Sequence, residues 1–130
     1  MAEHSHWHRQ LRREAYDAFL AALYEVVEAV HAVIGVRADQ AALDLAAREL
    51  DRRTNTLQAS GIRVELAGPD QVDSLAKEAF DALERLSALL VRDLQGEAVT
   101  EDINALFEEA GRKAEELSRA MRSVLREPPS

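Results

Sequence analysis

The sequence predicts an all-α protein: an antiparallel up-down-up-down four-helix bundle, one domain over residues 1–130, with an extended connector between helices 2 and 3. Three observations predict it. Apolar residues recur at alternating steps of three and four through four separate segments. Glycine, proline and capping residues punctuate the chain between them. The links after Gly35 and Gly96 are short, which favours antiparallel neighbours. The rival arrangement is a pair of long helical hairpins that complete their core only as a dimer.

The first helix is expected over 7–34. Tyr16, Leu20, Leu23, Val27, Val30 and Ile34 form its stripe, and Phe19, Val26 and Val33 add a second row. A stripe this wide suits a helix packed against two neighbours. Gly35 follows as the expected left-handed cap. The second helix, over 39–60, starts from Asp39 as N-cap and carries Leu43, Ala46, Leu50 and Leu57, with Gly61 ending it. Ile62, Val64 and Leu66 then alternate as in an extended stretch with one buried face. That stretch is expected to plug one end of the bundle, or to offer an edge for a partner's strand. The third helix, over 70–95, opens at Gly68-Pro69-Asp70 with Asp70 as cap. It keeps its rhythm through Val72, Ala76, Ala79, Leu83, Leu86 and Leu90, with Phe80 alongside, and Gly96 closes it. The fourth, over 101–126, opens at Thr100 and runs Ile103, Phe107, Ala110, Ala114, Leu117, Met121 and Val124 before Pro128 and Pro129.

A chain of 130 residues, 47% hydrophobic and 31% charged, is long enough for a core of its own. It has no cysteine, which excludes disulfides, thiolate metal sites and cysteine nucleophiles. No apolar run is expected to reach the roughly 20 residues of a membrane span, and no signal-peptide pattern opens the chain. The expected address is the cytoplasm, with no membrane partner.

The formal net charge is −8. The expected topology divides it unevenly. One end would gather nine cations, Arg9, Arg12, Arg13, Arg52, Arg53, Arg63, Arg119, Arg122 and Arg126, against seven anions. The opposite end would hold three cations against eleven anions. Acids at helix starts and bases at helix ends suit the helix dipole, but Arg9, Arg12 and Arg13 crowd a helix start. They are expected either to pair with Glu14, Asp51 or Glu127, or to form a patch for an acidic partner. Nucleic acid is not expected, because the excess is small and only Trp7 interleaves it.

No phosphate loop, dinucleotide fingerprint, nucleophile elbow or triad spacing is present, so no catalytic residue is assigned and an enzyme is not expected. Glu28-Ala29-Val30-His31 is one Glu-x-x-His unit. A di-iron bundle needs two, and no second copy exists. His31 is read as a boundary residue covering apolar neighbours. The candidate metal residues are Ala2, His4, His6 and His8. With Met1 removed, the amine of Ala2, two amides and the His4 imidazole would form a four-nitrogen square suited to Cu(II) or Ni(II), with His6 or His8 adding a ligand. The competing reading is a histidine-rich terminus that merges into helix 1. Trp7, Leu11, Ala15 and Phe19 fall on one ridge, so the helix is expected to run by Trp7, with the indole covering the bundle end or anchoring a partner.

"WHRQLRREAYDAFL" (Trp7 to Leu20), "VELAGPDQV" (Val64 to Val72) and Phe107 in "LFEEAGRKA" resemble small helical proteins of actinobacterial type. The resemblance spans most of the chain and its motifs are a helix core and a turn. It implies the fold alone and carries no activity; the bacterial origin is expected from the composition, rich in alanine and in arginine over lysine.

Three functions follow as expectations. The first is a non-enzymatic helical protein-interaction module, binding a protein partner or a second copy as a homodimer, through Trp7, Arg9, Arg12, Arg13, Arg52 and Arg53. The second is a metal-binding protein using the N-terminal histidines. The third is a carrier with a pocket for a small apolar ligand inside the bundle. No cofactor is expected.

Overall fold

The computed structural model describes the backbone of residues 2–36, 38–97 and 102–127, and the side chains of 7–36, 38–97 and 102–127. Among the described residues there are four helices and no strand. They are α1 (Ala2–Gly35), α2 (Gln40–Ala67), α3 (Asp70–Leu94) and α4 (Ile103–Arg126). Chain neighbours pack on each other and α1 also meets α4. Arg12 on α1 reaches Ala67 at the end of α2, while Arg53 reaches back to Glu25, so α1 and α2 run antiparallel. Arg9 meets Glu127, and His31 meets Phe107, so α1 and α4 also run antiparallel. The protein is an all-α four-helix bundle.

The core follows the expected periods. Tyr16, Phe19, Leu23, Val26, Val30 and Val33 of α1 are fully buried. Leu83, Leu86 and Leu90 of α3, and Leu117 and Met121 of α4, are buried with them. Among the described residues no polar or charged residue is buried. The helix starts are locally satisfied: Asp39 accepts from the Ala42 amide, and Asp102 accepts from Asn104 and Ala105. Asp70 is the first helical residue of α3 rather than its cap, which is Pro69. Thr100, the expected start of the fourth helix, lies outside the described residues.

Helix α2 departs from expectation. Gly61 does not end it, and the extended connector is not formed: helix continues to Ala67 and only Gly68 and Pro69 link it to α3. The reason is a seven-residue repeat. Leu43, Leu50, Leu57 and Val64 are its buried residues, and the repeat runs straight through Gly61. Ile62 and Leu66 therefore turn outward, at 60% and 84% exposure, instead of plugging the core. The turn comes at Gly68, whose φ of 63° is a left-handed conformation suited to glycine. Gly96 does the same after α3, whereas Gly35 is helical and makes no left-handed cap. Gly61, in a helix interior, costs about 1 kcal/mol relative to alanine.

One further expectation is corrected. The part of α1 over Trp7–Gly35 is long and apolar enough, by length and composition, to cross a membrane. Here it is the core helix, whose wide apolar stripe meets all three others.

Candidate functional site

The start of α1 meets the ends of α2 and α4, and this junction explains two of its three arginines, Arg9 and Arg12. A helix ends with carbonyls that lack intrahelical partners and carry partial negative charge. Arg12 Nε donates to the Ala67 carbonyl at 2.9 Å. Arg9 Nη2 donates to the Glu127 carbonyl at 2.7 Å. Tyr16 Oη donates to the Gly68 carbonyl at 2.5 Å. Two cations that are mildly unfavourable at their own helix start thus cap the C-terminal ends of two neighbours. Burial pushes the Tyr16 phenol above its ordinary value; the Arg12 charge opposes this and the Glu127 charge adds to it.

The candidate residues do not form one site. Trp7, Arg9, Arg12 and Arg13 share this end. Arg52 and Arg53 do not. Arg53 donates to the Glu25 carbonyl at 3.0 Å and lies 3.6 Å from the Glu28 carboxylate. Glu25 is thirteen residues beyond Arg12 on α1, about 20 Å at 1.5 Å per residue. Their placement at the arginine end is corrected: α2 runs seven residues past Gly61's neighbour Ser60, which moves its end away from them. Both arginines grip Glu49, with Arg52 Nε at 3.0 Å and Arg53 Nε at 2.8 Å. Those hydrogen bonds, Arg52's first, hold the Glu49 carboxyl at a pKa of about 2.

Trp7 does not cover the bundle end. It is 57% exposed and its ring meets only His8 edge-on, at 5.6 Å between centroids, among the described ring pairs. Beside α1 here stands the last turn of α2. Among the described residues, three of the four most exposed large apolar side chains, Trp7, Ile62 and Leu66, belong to this end. Leu11, in the next turn of α1 after Trp7, is also exposed. Leu66 and Ile62 were missed by sequence reasoning, which buried them. The unbroken repeat at Leu43, Leu50, Leu57 and Val64 is the signal that places them outside. On the neighbouring face of α1, Arg9, Gln10, Arg13, Glu14 and Asp17 line a shallow depression.

Of the candidate metal residues, the side chains of Ala2, His4 and His6 lie outside the described residues, and His8 is exposed on α1. Among the described residues no group of three or more His, Asp or Glu is placed to hold a metal ion. His31 packs edge-on against Phe107 at 4.9 Å, as a boundary residue, and Glu28 is exposed beside Arg53.

The fold and this end define a helical bundle with an apolar, arginine-bearing tip. No protein-family model matches the chain, and neither a curated protein nor a solved structure matches it.

Proposed function

We propose that the chain is a non-enzymatic helical interaction module, and that its partner is a second copy of itself, docked through the arginine-bearing end. The observation that carries this reading is the exposure of Trp7, Leu11 and Leu66 together on one end of the bundle. The charge pattern supports a second copy. A net charge of −8 makes two molecules repel, most strongly at the acidic end. The exposed face of α1 is locally neutral instead: Arg9 and Arg13 are followed by Glu14 and Asp17. Laid antiparallel about a two-fold axis between residues 13 and 14, one copy sets Arg13 against the other's Glu14 and Gln10 against its Asp17. Such an interface is self-complementary, as a two-fold dimer requires.

Light scattering coupled to gel filtration, over a range of concentrations, tests it. Wild type is expected to run as a dimer. The double variant Trp7→Ala, Leu66→Ser changes only exposed side chains and is expected to run as a folded monomer. A wild type that stays monomeric throughout, or a double variant that dimerises equally well, would refute the reading.

A further inference from the structure

A half-open cavity of about 290 Å³ lies in the seam between α2 and α3. Phe19 and Leu57, both fully buried, make its floor with Gly61. Ile62 and the half-buried Phe80 form its lips. It opens sideways between the two helices.

Gly61 is the unusual residue. Its backbone is helical without a left-handed φ, so the chain conformation does not require glycine. Packing does not require it either. A Cβ placed there would meet Phe19 Cε2 at 3.7 Å, an ordinary contact, and nothing closer. Glycine is nonetheless disfavoured inside a helix. What its missing side chain provides is space, because anything longer than a methyl group would grow toward Phe19 into the cavity.

The rim adds a charge preference. Glu65 and Asp73 border the cavity with Lys77. Lys77 is already committed to Asp73, with Nζ 3.0 Å from the carboxylate. Two acids against one base leave the mouth with one net negative charge. A cationic group is therefore favoured there, over an apolar floor.

We propose that this cavity binds a small amine: a single aromatic ring or comparable aliphatic body on the floor at Phe19, Leu57 and Gly61, and an ammonium group at Glu65. The cavity's lip at Ile62 lies one turn of α2 from Leu66 and so borders the self-association surface, but neither reading rests on the other.

Calorimetric titration with phenethylamine, and with phenylacetate as the anionic counterpart, tests it. Phenethylamine is expected to bind wild type saturably, about tenfold tighter than phenylacetate. Gly61→Leu fills the cavity and is expected to weaken phenethylamine binding at least about tenfold without lowering the melting temperature. Glu65→Gln, on the exposed rim, leaves the floor intact and is expected to erase the preference for the amine. Absence of saturable phenethylamine binding by wild type would overturn the proposal. So would an equal affinity for phenylacetate, or unchanged binding by the folded Gly61→Leu protein.

Discussion

The two ends of the bundle solve the same problem differently. At the acidic end each helix start satisfies itself: Asp39 and Asp102 cap their own amides, and Arg92 pairs with Glu97 five residues on. At the arginine end the helices satisfy one another, with Arg12, Arg9 and Tyr16 of α1 reaching the chain ends of α2 and α4. Local caps leave an end independent of its neighbours. Crossed caps bind three helices into one unit, and they hold the exposed Trp7 and Leu66 in a fixed relation. A recognition surface benefits from that kind of rigidity.

Substitutions can break or sharpen this contrast. The largest effect on stability is expected for Arg12→Ala, which removes a charged hydrogen bond between helices and leaves the Ala67 carbonyl without it. The expected loss is about 2 kcal/mol in urea unfolding. Asp39→Ala and Asp102→Ala, at the other end, are expected to lose about 1 kcal/mol each. If the local caps prove costlier than Arg12, the contrast fails.

The smallest effect is a titration. Glu49 sits on the α2 stretch that Arg53 ties to α1, away from the arginine end. Its folded pKa of about 2 lies below an ordinary value of 4.5. Its contribution to stability is therefore present above pH 4.5 and lost as pH falls toward 2. Carboxyl NMR of the Arg52→Ala, Arg53→Ala double variant is expected to show Glu49 titrating near its ordinary value. A carboxyl that still titrates near 2 would mean that the two arginines are not the cause.

The four helices were legible in the sequence because α1 and α3 bury wide stripes and α4 flanks its buried residues with the partly buried Ile103, Phe107, Ala114 and Val124. Helix α2 was harder, since it buries one large residue in seven. With so thin a stripe, Gly61 looked like an end, and the alternation of Ile62, Val64 and Leu66 looked like a strand. A period of two and a period of seven agree at Val64 alone, and the structure follows the longer one. That single misreading also misplaced Arg52 and Arg53, because it shortened the helix that locates them. Trp7 shows a different limit. Its ridge with Leu11, Ala15 and Phe19 correctly gave a helix running by that point. Periodicity assigns a face, however, and does not say whether a neighbour reaches far enough to cover it. Here α2 ends beside Arg12, and the indole stays outside.

Trp7 is the only tryptophan in the sequence, so its emission reports directly on the proposed interface. The decisive measurement is Trp7 fluorescence and quenching by acrylamide across a dilution series whose dimer fraction is known from light scattering. Self-association through the arginine-bearing end predicts a blue shift and loss of quenching that track the dimer fraction. Dimers whose Trp7 stays as red and as quenchable as in the monomer would contradict it.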